Sequence, residues 1–301
     1  MADTSGQADL RGLDIDKLAK GFADEDNIFK KFVAMSSTKA REIRWYKKTS
    51  GFLDTTTTTG IAGTMISNVA SRALPAVAEQ SWTRQTSYVK KYFIESPLIS
   101  DEDIKDTDVD ILATNVRDLV RAVARKVDLR IFSVLNEAAA ATPTVPAPSA
   151  VNTAAATGTG WDDTTNGNPV LDIMVGMQKI RAAGYDANGC VISVNSIEHK
   201  NLLNYLITVK GSSIPDFSSE KVRSGVVMRI LGCNVVVTEN QTTDWVTMWV
   251  PKRAATWKSF MPITARIIDD PGIGKKIRCW EEGECLLTDP LAVHVISDTV
   301  T

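Results

Sequence analysis

Arg278-Cys279-Trp280-Glu281-Glu282-Gly283-Glu284-Cys285-Leu286-Leu287-Thr288-Asp289-Pro290-Leu291-Ala292-Val293-His294-Val295-Ile296 is the stretch on which the fold turns. Its pattern predicts two short strands around a tight turn at Glu282-Gly283, with Asp289-Pro290 opening the second strand. Any hairpin matches such a pattern, so its meaning depends on the order of parts that precede it.

Working outward, Asp269-Asp270-Pro271-Gly272 reads as a turn. Pro271-Gly272-Ile273-Gly274-Lys275-Lys276 is the nearest thing to a phosphate loop, but no helix follows to aim backbone N–H groups at a phosphate. Trp245 to Val250, Val235 to Val237 and Val226 to Ile230 read as strands. Cys190 to Val194 reads as a buried strand between helices marked by Val170, Ile173, Met174 and Met177 and by Leu202, Leu203, Leu206 and Ile207. Asn195-x-x-Glu198 resembles a capping box. From Ala141 to Gly160 the sequence is rich in Pro, Thr and Gly and carries no charge, which predicts an exposed loop.

The strongest helix signal lies between Asp108 and Ala140. Leu112, Val116, Leu119, Val120, Val123, Val127, Ile131, Val134 and Leu135 recur every three or four residues with no Gly or Pro. Asp101, Glu102, Asp103, Asp106, Asp108 and Asp110 crowd its start, where negative charge suits the helix dipole. Such a helix spans about 50 Å. Before it, Trp82, Arg84, Thr86, Tyr88, Lys90, Tyr92 and Ile94 alternate with their neighbours as one face of an extended ribbon. Ile66 to Val77 is apolar enough to be its partner strand, and Thr55 to Thr59 with Gly60 reads as a flexible connection. Residues 1–27 carry seven acids against Arg11, Lys17 and Lys20. Residues 28–48 reverse the sign, with Ile28, Phe29, Phe32 and Val33 at helical spacing.

The composition is that of an ordinary globular chain of 301 residues, 44% hydrophobic and 23% charged, able to bury a sizeable core. A net charge of −2 excludes a generic polyanion binder. No apolar run reaches transmembrane length and the N-terminus lacks signal-peptide features, so no membrane partner is expected. Cys190, Cys233, Cys279 and Cys285 show no CxxC spacing, which favours reduced thiols in an intracellular chain. His199 and His294 read as structural. No nucleophile motif, Walker A loop or kinase set is present. No catalytic residue, metal or cofactor is expected. The acids at 101–110 have a sufficient structural reason at a helix start.

This order of parts resembles the tailed-phage major capsid protein family, whose fold is named after phage Hong Kong 97. The residues that carry the resemblance are Trp82 through Tyr88-Val89-Lys90-Lys91-Tyr92, then Ile99-Ser100-Asp101-Glu102-Asp103-Ile104, the long helix, and the Pro290-Leu291-Ala292 strand near the C-terminus. It implies an α+β capsid fold with an N-terminal arm (1–50), an extended β-ribbon loop (51–95), a peripheral domain with a spine helix (96–140), an axial domain (141–250) and a return to the peripheral domain (251–301). It implies a shell subunit that forms hexamers and pentamers around double-stranded DNA, in a virion assembled in the host cytoplasm. A portal is an expected partner; no long scaffolding segment fits before residue 50, so scaffolding is expected to come from a separate protein or to be unnecessary. A lysine–asparagine crosslink is not implied, since nothing marks an asparagine partner.

On this reading Trp82, Arg84, Tyr88, Lys90, Lys91 and Tyr92 are candidate inter-subunit contacts. Lys30, Lys31, Lys39, Arg41, Arg44, Lys47 and Lys48 are the candidate interior basic face. Ordering an arm of about 50 residues costs roughly 50–100 kcal/mol of backbone entropy. Neighbouring subunits are therefore expected to supply its contacts. The alternatives are an encapsulin-type nanocompartment shell, an α/β small-molecule enzyme built on residues 170–250, and a nucleic-acid-binding module using the basic block and ribbon aromatics.

Overall fold

The computed structural model describes residues 28–48, 71–72, 74, 82–106, 111–136, 151–209 and 229–300. Two β-sheets organise them, and one long helix lies against the first.

The first sheet is built on a long hairpin. Strand β11 (Ala255–Asp270) and strand β12 (Gly274–Leu287) pair antiparallel, and the turn between them closes with Ile273 N–H donating to the Asp270 carbonyl at 3.0 Å. The turn expected at Asp269–Gly272 is therefore present. The turn expected at Glu282-Gly283 is not, since both residues sit inside β12. Gly283 has another reason to be glycine. A Cβ there would lie 2.4 Å from the Trp257 indole, a ring that is fully buried. The hairpin register shifts at Ser259/Met261, opposite Gly283 and Glu282, so a bulge falls at this crowded point.

Strand β1 (Ala34–Ser37) adds parallel to β11, and β4 (Lys90–Glu95) adds antiparallel to β12. The two-residue β5 (Ile99–Ser100) pairs with the start of β12. Helix α1 (Asp101–Asp106) starts at Ser100, whose hydroxyl accepts the Asp103 N–H at 3.0 Å. Helix α2 (Ile111–Leu135) packs over β12. Its 25 residues span about 38 Å. The described helix is shorter than the expected 108–140, whose ends lie outside the described residues. Val116, Val120, Val123, Val127, Ile131 and Leu135 form its buried stripe, with the spacing read from the sequence.

The apolar residues of 28–33 do not make an amphipathic helix. They form a single 3-10 turn, Phe29–Phe32. Asp128, buried on α2, accepts the N–H groups of Ile28, Phe29 and Lys30 at 2.6, 3.3 and 3.3 Å. Phe29 stacks on Phe132 and packs against Trp249, each 5.6 Å between ring centroids. The stretch from Phe29 to Ser37, expected to depend on neighbours, is thus anchored in its own subunit.

The second sheet has the order β6 (Asn152–Ala155), β13 (Val293–Ser297), β10 (Trp245–Trp249), β7 (Val191–Val194), β9 (Cys233–Val237), β8 (Arg229–Ile230). Its members contradict two expectations. Residues 152–155 form a strand, not the exposed loop read from their composition, while 141–150 lie outside the described residues. β13 does not return to the first sheet with β11 and β12; it pairs with β10 and β6. Helices α3 (Pro169–Ala182) and α4 (Ser196–Asn204) accompany this sheet, capped by Asn168 and Asn195 respectively. α3 contacts the sheet through Gly176, where a Cβ would meet His294 Cδ2 and Met248 Sδ at 2.7 Å. Asp172 accepts the Trp161 indole N–H at 2.8 Å and the Thr157 hydroxyl at 2.5 Å, joining α3 to the end of β6. Cys190, Cys233, Cys279 and Cys285 are free and buried.

His294 is fully buried, and neither ring nitrogen has a hydrogen-bond partner among the described residues. Burial, with Lys179 adding, pulls its pKa down to about 4. The imidazole is neutral in the fold, whereas the unfolded chain takes up a proton near 6.5. Asp128 works in the opposite direction. Burial raises its pKa to about 6 against the pull of its three N–H donors, so its contribution is present below the unfolded value and lost as pH rises through about 6.

Gly283→Ala is expected to destabilise the subunit by about 1–3 kcal/mol through the Trp257 clash, read as a lower melting temperature. The His294 contribution is present above pH 6.5 and is lost as pH falls through about 4, up to about 3 kcal/mol. Stability curves of the wild-type chain and of His294→Gln should diverge in slope between those limits; parallel curves would show that the imidazole is not buried neutral.

Candidate functional site

The feature that stands apart from both sheets is a two-stranded ribbon. Strand β2 (Glu42–Lys48) pairs antiparallel with β3 (Trp82–Tyr88), with Glu42 opposite Tyr88 and Lys48 opposite Trp82. The strand expected to partner β3, Ile66 to Val77, lies almost wholly outside the described residues. The partner found is β2, from the segment read as an arm. Alternation over 82–88 is as expected. Arg84, Thr86 and Tyr88 share an exposed face with Arg44 and Tyr46, while Ile43 is buried and Trp45 donates its indole N–H to Ser87 Oγ at 3.1 Å. Tyr46 and Tyr88 are 59% and 65% exposed, which leaves two aromatic rings on the outer face uncovered by their own subunit.

Alternation breaks at Val89, whose N–H donates to the Arg41 carbonyl at 2.9 Å. Beyond it the chain joins the first sheet as β4, with Lys90 and Lys91 exposed and Tyr92 turned inward. The six candidate contacts therefore separate. Arg84 and Tyr88 lie on the outer ribbon face, Lys90 and Lys91 at its root, and Tyr92 inside; of Trp82 only the backbone pairing is described.

The root is built on carboxylates that the sequence reading placed in a turn. Glu281, Glu282 and Glu284 of β12 are buried, at 0%, 4% and 2% exposure. Five cations surround them. Lys30 Nζ lies 2.5 Å from Glu281 Oε1, and Arg130 of α2 lies 2.7 Å from Glu284 Oε1. Arg41 and Lys91 both stand 3.6 Å from Glu282, and Lys90 stands 3.8 Å from Glu284. Lys30 also sits 5.7 Å from the Trp257 ring centroid. Tyr92 packs against Trp257, and burial, with the Glu284 charge adding, pushes its hydroxyl pKa up.

The cluster draws from every element that meets at this corner: the 3-10 turn, the β1–β2 connection, β4, α2 and β12. Buried charges are tolerated only when paired, so moving any of these elements separates a carboxylate from its cation. The basic block of 28–48 is accordingly not one face. Lys30 and Arg41 point at the carboxylates, Arg44 pairs with Glu42 at 2.9 Å, and Lys31 and Lys39 are exposed. Lys47 and Lys48 pair through their backbones with Thr83 and Trp82, and their side chains lie outside the description. Among the described residues no group of three or more His, Cys, Asp or Glu side chains is arranged to hold a metal, and no helix is long and apolar enough to cross a membrane.

A family model described as phage capsid protein matches residues 98–293. The chain belongs to the phage capsid protein family. Solved structures extend the likeness over nearly all of its length. A virus-like particle protein from Pyrococcus furiosus is 9% identical, with a TM-score of 0.61 over 95% of this chain and 98% of that one. A protein of Mycobacterium phage Che8 is 15% identical, with a TM-score of 0.61 over 91% and 92%. The capsid protein of cyanophage P-SCSP1u is 10% identical, with a TM-score of 0.62 over 90% and 88%. At such identities the likeness establishes the fold. No curated protein sequence matches.

Arg130→Met leaves Glu284 buried without its nearest cation and is expected to cost about 3–5 kcal/mol. Arg130→Met combined with Glu284→Leu should cost less than the sum of the single changes by about 1–3 kcal/mol. Denaturant unfolding of the four variants measures this coupling, and strict additivity would show that the pair does not interact.

Proposed function

We propose that this capsid protein is the major shell subunit of a tailed phage, forming hexamers and pentamers that enclose double-stranded DNA in the virion. The observation that carries the reading is the ribbon. It presents Tyr46, Arg84 and Tyr88 outward on a root locked by buried ion pairs, which suits a lever resting on a neighbouring copy. Closed rings need heterologous contacts, in which different patches meet. A projecting ribbon on one copy and the body of the next supply two such patches. The role is structural and not enzymatic. The hollow along α3, lined by Met174, Met177, Gln178, Arg181, Ala182 and Leu231, brings together no acid–base pair among the described residues. Assembly in the host cytoplasm with a separate scaffolding protein and a portal belongs to the same proposal.

An encapsulin-type compartment is the second reading, favoured by the likeness to the virus-like particle protein across 98% of that chain. The contents of purified particles separate the two: nuclease-protected DNA supports the phage shell, and a packaged protein supports the compartment.

Light scattering and negative-stain microscopy of the purified chain, at low and moderate salt, are expected to show shells, rings of five or six, or tubes. Arg84→Glu with Tyr88→Glu should lower the assembled fraction at least tenfold while leaving the melting temperature nearly unchanged, because both side chains lie outside the core. Undiminished assembly of that variant would remove the ribbon from the contact.

A further inference from the structure

We infer that Cys190 and Cys233 are a disulfide-forming pair that staples β7 to β9 when the subunit meets a peroxide; this goes beyond the shell reading and does not rest on it. β7 and β9 run parallel, with Val191 opposite Asn234. The ladder continues one residue further back, where the Asn234 N–H donates to the Cys190 carbonyl at 2.8 Å. That step sets Cys190 opposite Cys233. Facing residues of neighbouring strands project to the same side of a sheet, and both thiols belong to the buried cluster that holds Ile192 and Val194. Neighbouring strands lie about 4.8 Å apart, inside the range of about 4.4–6.8 Å between Cα atoms that a disulfide spans. The other two cysteines have no such arrangement. Cys279 lies opposite Ala265 and Ile94, and Cys285 lies opposite Trp257.

The two thiols are unequal. The hydrogen bond between them pulls the Cys233 pKa down and pushes the Cys190 pKa up, and the Arg181 charge acts downward on both. Cys233 is therefore the nucleophile and Cys190 the resolving thiol. The Cys233 thiolate attacks one oxygen of hydrogen peroxide and the O–O bond breaks, which leaves a sulfenic acid and a hydroxide that takes up the displaced proton as water. The Cys190 sulfur then attacks the Cys233 sulfur. The S–S bond forms as the S–O bond breaks, and the hydroxyl departs with the Cys190 proton as a second water. Two thiols are oxidised by two electrons and one peroxide is reduced. Burial excludes bulky reagents, but peroxide is little larger than water. Each cysteine follows a turn glycine at the start of its strand, Gly189 and Gly232, at φ +75° and +81° with open space beside them. Leu231, next to Gly232, lines the hollow along α3 together with Arg181, which brings that hollow beside the pair.

The test exposes the full chain, purified with reductant, to a small excess of hydrogen peroxide, then unfolds it, alkylates the remaining thiols and maps the peptides by mass spectrometry. The expected map joins the Cys190 and Cys233 peptides within one chain and finds Cys279 and Cys285 alkylated. Cys190→Ala should stop at a Cys233 sulfenic acid that dimedone labels, and Cys233→Ala should leave Cys190 alkylated. Closing the loop between residues 190 and 233 restricts the unfolded chain, so the oxidised protein should melt about 5 °C higher, and dithiothreitol should reverse the rise. Four alkylated cysteines in the wild-type chain would overturn the proposal and make the pair core packing alone. So would a link from either residue to Cys279, to Cys285 or to another chain. A disulfide that leaves the melting temperature unchanged overturns the staple. The wild-type map decides the pairing even where a variant fails to fold.

Discussion

Three carboxylates inside a β-strand are the constraint on which the molecule depends. Glu281, Glu282 and Glu284 cannot be buried without compensation, and the compensation comes from five side chains spread over residues 30 to 130. A hydrophobic contact tolerates sliding, whereas a buried carboxylate that depends on a cation does not, because its burial is costly once the charge is left alone. The ribbon therefore leaves the body in a fixed direction. For a shell subunit that direction matters more than raw stability, since a small angular error at the root is multiplied along the ribbon.

The same corner ties the two sheets together. Asp128 on α2 gathers the first turn of the described chain, Phe29 bridges Phe132 of α2 and Trp249 of β10, and β13 follows the end of β12 into the second sheet. The glycine at 283 is part of this economy of space, because it lets the Trp257 indole close over the strand beside the carboxylates.

Much of this was legible in the sequence where the signal is local. The α2 stripe, the Asp269–Gly272 turn, the alternation of Arg84, Thr86 and Tyr88, and the strand at 245–249 all follow from spacing of neighbours. What escaped was non-local. Glu282-Gly283 looks like a turn because turns and close packing both select glycine, and only the distant Trp257 distinguishes them. Buried glutamates mimic exposed ones in a sequence, since their burial is licensed by Lys30 and Arg130 far along the chain. The pairing of β3 with β2 and the passage of β13 into the second sheet are likewise choices that local pattern leaves open. The family resemblance supplied the capsid-type fold of helices and strands; the residues that hold it in place came from the structure.

Hydrogen exchange on the dispersed subunit tests the central claim most directly. Amide protection across β2 and β3 should be compared between the wild-type chain and Glu282→Gln with Glu284→Gln. If the carboxylates hold the ribbon, protection at Trp45, Tyr46 and Ser87 falls at least tenfold in the variant, while β7 and β10 exchange as before. Equal ribbon protection in the two chains would contradict the account and leave the ladder of β2 and β3 as its own support.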